Sequence, residues 1–221
     1  MPRQNRVTPL GELVASPARG LWMGNRGCLH DDQGQITGRR WTTRAWVTCL
    51  LSFKNRQRQL MQPRRYTELF FLDEPTAFAA GHRPCGECRR EDHVRFRDGW
   101  LAANAQAAAR ISLGLPPGLK QLDEVLHVER VVRIDGKQQW RVKLDDLPDG
   151  AMILPSPEIQ VPAKQPLLVV GAWLFPWQPS GYSPPIPRPQ RLTVPLITPP
   201  SVVATFLQGY QPQWHPSANI G

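Results

Sequence analysis

The chain has 221 residues, of which 41% are hydrophobic and 20% are charged, and its formal net charge is +9. This length and composition are typical of a globular protein with one large domain or two smaller ones, and they exclude extensive disorder. No run of 18 uninterrupted apolar residues occurs, which argues against a membrane-spanning helix. The first twenty residues lack the apolar core of a secretory signal, and we therefore expect a reducing, cytoplasmic location.

The positive charge is concentrated in the N-terminal part of the chain. Residues 1–97 contain 17 lysines and arginines against 9 acidic residues, whereas residues 98–221 contain 10 against 9. All of these 17 except Lys54 are arginines, and a guanidinium group suits bidentate contacts with phosphate. We therefore expect DNA or RNA as the partner, with a merely solvated basic surface or an acidic protein partner as the alternatives. The arginines that we predict to contact nucleic acid are Arg39, Arg40, Arg64, Arg65, Arg83, Arg89 and Arg90.

The first elements along the chain are predicted to be strands and turns. We expect residues 1–20 to form an irregular arm, followed by a turn at 31–34. Alternating side chains predict a strand at 46–51, which a turn at 54–57 connects to a second strand at 66–72.

Two helices are predicted next, on either side of a cysteine-containing turn. Asp73 as the N-cap, Pro75 in the first turn and Gly81 as the stop predict a short helix at 74–80. A longer helix is predicted at 91–111, because this segment is rich in strong helix formers.

The sequence "LPPG" at 115–118 ends this helix and marks the predicted domain boundary. We expect a basic zinc-binding α+β domain at 1–114 and a proline-rich β domain at 115–221. Residues 124–134 and 138–147 are predicted to form a hairpin about the turn Asp135–Gly136. After residue 147 come 16 of the 24 prolines among short apolar runs, which is typical of short strands at sheet edges.

The predicted fold class is therefore α+β. We expect a small zinc-knuckle domain with mixed strands and two helices, followed by an irregular proline-rich β unit that a short helix closes near 200–208.

The spacing Cys85-x-x-Cys88 predicts a metal site, because such a turn can bring two thiolates onto one Zn²⁺ ion. A redox pair and a metal-free turn are the alternatives. Two further ligands must come from elsewhere, and the candidates are Cys28, His30 and Cys49, with His82 beside the turn. We rank Cys28 and His30 before Cys49, since a lone cysteine on a strand is usually a small core residue.

The segment "ELFFLDEPTAFAAGHRPCGECRRED", residues 68–92, resembles the second half of the Ada-type zinc-binding DNA methylphosphotriester repair domain. Both have a strand with phenylalanines, a short alanine-rich helix, an Arg-Pro-Cys-x-x-Cys-Arg turn and a following helix. The matching positions are Phe70, Phe71, Ala77, Ala80, Gly81, Arg83, Pro84, Cys85, Cys88 and Arg89.

The resemblance implies that Cys85 and Cys88 are the last two ligands of a four-thiolate zinc site and that the neighbouring arginines face DNA. His82 stands where that family has phenylalanine. The family's first ligand pair, Cys-x₃-Cys, which includes its methyl-accepting nucleophile, has no counterpart at the same spacing, and Cys28 and Cys49 stand elsewhere.

Three functions follow as hypotheses. The first is a zinc-binding protein that binds nucleic acid through its arginines, in DNA repair or modification, while Trp22, Trp41, Trp46 and Tyr66 either stack on bases or pack in the core. The second is a zinc-thiolate alkyl acceptor.

The third hypothesis is a metal-dependent nuclease, which would need carboxylates, histidine or asparagine around a divalent ion. The candidate residues for this chemistry are Asn25, His30, Asp31, Asp32, Glu68, Asp73 and Glu74.

Overall fold

The computed structural model describes residues 1–55, 59–112, 118–134 and 139–219, except for the side chains of 111–112 and 132–134. Within these ranges the chain forms five α-helices and thirteen short β-strands, and the strands lie in three sheets. The predicted α+β class is therefore confirmed.

The N-terminal part forms a six-stranded mixed sheet with the order β2-β1-β5-β3-β4-β6. Its strands are β1 (Gln4–Val7), β2 (Leu13–Ala15), β3 (Trp22–Asn25), β4 (Val47–Cys49), β5 (Leu69–Phe71) and β6 (Arg83–Pro84). The pairs β1–β5 and β4–β6 are parallel, whereas the other neighbours are antiparallel.

The irregular arm that we predicted at 1–20 is wrong, because β1 and β2 form a hairpin on one edge of this sheet. Asn5 and Val7 lie two positions apart on β1, and both are buried. The amide side chain of Asn5 donates to the carbonyl of Glu68. Two inward residues are too few for the period-two pattern of a strand to be visible in the sequence.

Helix α1 (Glu74–Ala79) forms as predicted. The carboxylate of Asp73 caps it by accepting from the backbone N–H of Thr76 at 3.0 Å, and Gly81 follows the helix with φ +87°.

The single helix predicted at 91–111 is two helices, α2 (Arg90–Ala103) and α3 (Ala105–Ser112). The break falls at Asn104, whose side-chain amide donates to the carbonyls of Trp100 and Ser201. Asparagine competes with helical backbone hydrogen bonds in this way, so it interrupts an otherwise alanine-rich segment.

Helix α4 (Leu119–Ile134) occupies the segment in which we predicted the first strand of a hairpin, so that prediction is wrong. Leu122, Val125 and Leu126 are buried at the i, i+3, i+4 spacing of a helix face, which outweighs the β-branched composition. The predicted turn Asp135–Gly136 lies outside the described residues. Neither α4 nor any other helix in the described part is long and apolar enough to cross a membrane.

The C-terminal part contains the short proline-rich strands that the composition indicated. Its elements are β7 (Arg141–Lys143), β8 (Met152–Ile153), β9 (Leu167–Val170), β10 (Trp173–Gln178), β11 (Gly181–Tyr182), β12 (Ile186–Pro187), β13 (Thr193–Pro195) and α5 (Pro200–Leu207). Strands β8 to β12 form one sheet, and β7 pairs with β13 in a separate two-stranded sheet.

The two parts of the chain share two apolar clusters, each of which includes a side chain of α1. Phe78 of α1 packs with Trp100 of α2, Leu126 of α4 and Phe206 of α5. Helix α1 and the turn that follows it are thereby held between the N-terminal sheet and the C-terminal elements. The predicted boundary near residue 114 lies in 113–117, outside the described residues.

Candidate metal centre and nucleic-acid interface

The parallel pairing of β4 with β6 brings together cysteines that are 36 positions apart in the sequence. The N–H of Arg83 donates to the carbonyl of Trp46 at 3.1 Å, and the N–H of Cys85 donates to the carbonyl of Thr48 at 2.9 Å. Thr48 lies opposite Pro84 in this register. Cys49 and Cys85, the residues that follow these two, therefore lie next to each other where the two strands end.

A tight turn then carries Cys88 back to the same point. The N–H of Arg89 donates to the carbonyl of Cys85 at 3.1 Å, and the N–H of Glu87 donates to the sulfur of Cys85 at 3.4 Å. The sulfurs of Cys49, Cys85 and Cys88 all lie within 4.8 Å of one another. Within the described ranges these three cysteines form a group that could hold a metal ion.

The three thiols differ in the direction in which their pKa is shifted. A hydrogen bond from Cys49 lowers the pKa of Cys85 to about 5, and backbone hydrogen bonds from Cys88 and Glu87 act in the same direction against the effect of burial. The same hydrogen bond to Cys85, together with burial, raises the pKa of Cys49, and burial raises the pKa of Cys88. These hydrogen bonds thus favour the thiolate form of Cys85, and a divalent ion that bound all three sulfurs would displace the protons of Cys49 and Cys88.

The chemistry of the donor set fits Zn²⁺, which prefers thiolates in tetrahedral geometry. Three protein sulfurs leave one of the four positions for water or another ligand, which is the arrangement of zinc sites that react.

The three cysteines line one wall of a cavity of about 590 Å³. This volume is within the range of sites for small molecules, about 300–1,000 Å³. The other walls are mainly apolar and aromatic, with a few polar groups. The remaining lining residues are Met23, Asn25, Val47, Leu50, Leu51, Phe53, Leu60, Tyr66, Glu68, Phe70 and Glu87.

Cys28 and His30, which the sequence ranked before Cys49, do not belong to the cluster. The sulfur of Cys28 contacts the carbonyl of His30 at 3.5 Å. The two ring nitrogens of His30 hydrogen-bond with the hydroxyl of Thr67 at 2.6 Å and the carbonyl of Gln62 at 3.0 Å. The ranking was wrong because Cys49 becomes a candidate ligand only through the β4–β6 pairing, which no local pattern in the sequence reveals.

His82 also lies outside the cysteine cluster. Its ring is fully buried between those of Trp46 and Phe71, with centroid distances of 5.1 and 4.6 Å. Burial, with smaller contributions from the positive charges of Arg26 and Arg130, holds the pKa of His82 well below its usual value.

Arg83 is a structural residue. It is buried, and its guanidinium forms a two-pronged ion pair with Asp123 at 2.7 and 2.8 Å. The donors of Arg83, which we predicted to contact nucleic acid, are therefore used inside the protein.

Arg89 is also structural, for the same reason. It is buried over the ring of Trp22 at 3.8 Å and pairs with Glu74 at 2.5 Å and with Asp92 at 2.8 Å. The guanidinium thereby fastens the start of α2 to α1, and it does not face outward as predicted.

The other five predicted arginines, Arg39, Arg40, Arg64, Arg65 and Arg90, are exposed. Arg64 and Arg65 immediately precede Tyr66, and Lys54 immediately follows Phe53, while both aromatic rings line the thiol cavity. Exposed cationic residues are therefore sequence neighbours of two residues that line this cavity. Arg90 follows Cys88, the last residue of the cysteine turn, by two positions.

Two of the four aromatic residues that we considered for base stacking lie in the core. Trp22 and Trp46 are buried, and the guanidiniums of Arg26 and Arg130 lie over the ring of Trp46 at 4.2 and 4.0 Å. Tyr66 lines the thiol cavity and is partly exposed.

Several acidic candidates for nuclease chemistry have structural partners. Asp31 accepts the backbone N–H groups of Gln33 and Gln35, each at 2.9 Å, in the predicted turn. Asp73 caps α1, and Glu74 is paired with Arg89. Asn25 and Glu68 line the thiol cavity, but these groups do not form a second cluster of metal ligands in the described part.

Comparison with protein-family models, curated proteins and solved structures finds no match for this chain.

Proposed function

We propose that Cys49, Cys85 and Cys88 bind Zn²⁺ and that the protein holds nucleic acid against this centre, in DNA repair or modification. The observation that carries the proposal is the position of three sulfurs, within 4.8 Å of one another, on the wall of a cavity whose lining residue Tyr66 follows the exposed Arg64 and Arg65 in the sequence.

The support for zinc comes from the ligands and their surroundings. Thiolates are soft ligands that select zinc over the hard cations Mg²⁺ and Ca²⁺. The backbone hydrogen bonds to the sulfurs of Cys85 and Cys88 stabilise negative charge there, as they would in a metal-bound knuckle.

The support for nucleic acid comes from charge and exposure. The arginine excess of residues 1–97 remains on the surface at Arg39, Arg40, Arg64, Arg65 and Arg90, even though Arg83 and Arg89 are used internally. Exposed guanidiniums bind phosphates and release counterions, so such binding is sensitive to salt.

The experiment measures binding of a single-stranded and a double-stranded oligonucleotide to the full-length protein over a series of salt concentrations. We expect the double variant Arg64→Ala, Arg65→Ala to weaken binding and to reduce the salt slope by about 2 for duplex DNA, because each lost phosphate contact removes about one counterion. The control is Arg141→Ala, an exposed arginine on β7 that lines none of the cavities described here. If the double variant bound the oligonucleotides as tightly as the wild type, or if the wild type did not bind them at low salt, the nucleic-acid part of the proposal would be contradicted.

A second candidate function is alkyl transfer to one of the three cysteines, in line with the resemblance to the Ada-type domain. It is favoured by the partial exposure of all three sulfurs toward a cavity that can admit a substrate. In such a step a thiolate sulfur attacks the methyl carbon of a methyl phosphotriester. The S–C bond forms, the C–O bond breaks, and the phosphodiester oxygen leaves with the electron pair.

Mass spectrometry after incubation with DNA that carries methyl phosphotriesters tests this candidate. We expect one added methyl group, located on Cys49, Cys85 or Cys88, and none on Cys28. An unmodified protein that still contains zinc would contradict alkyl transfer and leave the metal site standing.

A further inference from the structure

A second, positively charged cavity adjoins the thiol cavity. The second cavity has a volume of about 310 Å³ and shares Leu51, Leu60 and Phe70 with the first. Its other lining residues include Arg6 and Arg19, and no aspartate or glutamate lines it among the described residues. The two cavities thus adjoin along these shared residues, and we call the pair the groove, with thiols in one cavity and guanidiniums in the other.

Arg6 is held in place by contacts with Asn5, Ala18 and Phe70. Its Nε donates to the carbonyl of Ala18 and its Nη1 donates to the side-chain oxygen of Asn5, both at 2.6 Å, and its guanidinium lies 4.7 Å from the centre of the Phe70 ring. These partners are neutral. Arg19 is exposed and close enough for its charge to act on Arg6. Two neighbouring guanidiniums in a cavity with no carboxylate among its described lining residues are an environment that an anion would stabilise.

The thiol end has the opposite preference. A Zn²⁺ ion with three thiolates carries a net negative charge, so a phosphate placed directly against it would be repelled. The walls between the two ends are apolar, with Leu51 and Leu60 exposed by 54% and 39%. An occupant that suits the whole groove therefore has an uncharged, flat or apolar part at the thiols and an anionic part at the arginines.

We propose that this groove binds a nucleotide unit, with its phosphate on Arg6 and Arg19 and its base or sugar in the cavity lined by Cys49, Cys85 and Cys88. This inference deepens the proposed function and rests on it, because it states which part of a nucleic acid would reach the metal centre. The phosphate could belong to a free mononucleotide or to a single-stranded chain, and both offer the same chemistry to the groove.

The test measures binding to the zinc-loaded, full-length protein by calorimetry, with four probes: inorganic phosphate, adenosine, adenosine 5′-monophosphate and a single-stranded pentanucleotide. We expect the mononucleotide or the pentanucleotide to bind more tightly than phosphate or adenosine alone. Arg19→Ala should weaken that binding about tenfold or more, since it removes a charge-assisted contact. Arg141→Ala removes the same charge elsewhere and should leave binding within about twofold.

A second variant tests the apolar middle of the groove. Leu51→Glu places a carboxylate where both cavities meet and should also weaken nucleotide binding, whereas Leu207→Glu, at a residue of α5 that is 62% exposed, should not. Both positions are exposed, so neither variant is expected to unfold the protein.

The outcomes identify the ligand of the groove, and they also separate the groove proposal from the proposed function. Tight binding of the mononucleotide indicates a free nucleotide as the ligand, and binding of the pentanucleotide alone indicates a nucleic-acid strand. The groove proposal is overturned if inorganic phosphate binds as tightly as the nucleotides, or if no nucleotide binding depends on Arg19 and Leu51. Zinc content and the salt-dependent binding of longer DNA, measured on the same samples, would then still report on the proposed function.

Discussion

At the scale of single residues, the arginines of this chain divide into two groups that composition cannot separate. Arg83 and Arg89 flank the cysteine turn as the exposed Arg90 does, but both are buried in ion pairs with carboxylates. Which group an arginine belongs to depends on whether a carboxylate meets it in the fold. Asp123 lies 40 positions from Arg83, and the sequence contains no local sign of that partnership.

This division predicts opposite effects for substitutions that look alike. Arg83→Ala leaves the Asp123 carboxylate without its partner in a buried site, and we expect it to lower the free energy of unfolding by about 3–5 kcal/mol. Arg65→Ala should change that free energy by less than about 0.5 kcal/mol, because its side chain is exposed.

Urea unfolding followed by tryptophan fluorescence measures both effects. Equal stabilities of the two variants would show that the Arg83–Asp123 pair does not contribute as described.

The cysteines show how far residue types alone could identify the site. Cys85 and Cys88 were predictable, because their spacing is local and has a chemical meaning. Cys49 was not, since its role depends on the neighbouring positions of two short strands. His30 was a plausible ligand by residue type, but its ring nitrogens hydrogen-bond with Thr67 and Gln62.

At the scale of elements, α4 and α5 are joined by a half-buried carboxylate. Glu129 of α4 accepts from the backbone N–H of Ser201 at 3.1 Å and from its hydroxyl at 2.6 Å, near the start of α5. Burial raises the pKa of Glu129 from 4.5 to about 7, and the two hydrogen bonds only partly offset that effect.

The raised pKa predicts the direction of a pH effect. Because the folded protein holds the proton of Glu129 more tightly than the unfolded chain, the contribution of this group to stability is fully present below pH 4.5. It is lost as the pH rises to about 7. We expect the free energy of unfolding of Glu129→Gln, relative to wild type, to increase over this window by up to about 3 kcal/mol.

The measurement is urea unfolding of both proteins at several pH values between 4.5 and 7.5. A difference between variant and wild type that stays constant across the series would contradict the raised pKa.

The elements also show what sequence patterns can and cannot reveal. Helix α1 was predicted almost to the residue, because Asp73, Pro75 and Gly81 each act on the backbone next to them. Helix α4 was missed, since its valines and isoleucine favoured a strand while its burial follows a helical spacing. The hairpin of β1 and β2 was missed because three- and four-residue strands carry too few alternating positions.

At the scale of the whole molecule, the cysteine turn is supported by both parts of the chain. The phenol of Tyr182 donates to Asp73 at 2.8 Å, and the phenol of Tyr210 donates to Glu74 at 3.0 Å. These carboxylates lie at the start of α1, which leads into β6 and the turn. The C-terminal part therefore stabilises the segment that presents Cys85, although none of its described residues belongs to the cysteine cluster.

This arrangement predicts that residues 1–114 do not form a stable unit alone. The fragment would expose Phe78, Phe96 and Trp100, which pack against α4 and α5 in the full chain, and would leave Asp73 and Glu74 without their tyrosine donors. We expect the fragment to lack a cooperative thermal transition, which circular dichroism would detect. A fragment that unfolds cooperatively and binds zinc as the full chain does would instead indicate two independent domains.

The central claim is that Cys49, Cys85 and Cys88 hold a zinc ion with one further position open to the cavity. The most direct test is X-ray absorption at the zinc edge on the zinc-loaded protein, beside the variants Cys49→Ser and Cys28→Ser. We predict three Zn–S contacts at about 2.3 Å and one lighter ligand at about 2.0 Å in the wild type and in Cys28→Ser, and loss of a sulfur or of the ion in Cys49→Ser. A spectrum without sulfur neighbours, or a zinc site that changes in Cys28→Ser and not in Cys49→Ser, would contradict the account.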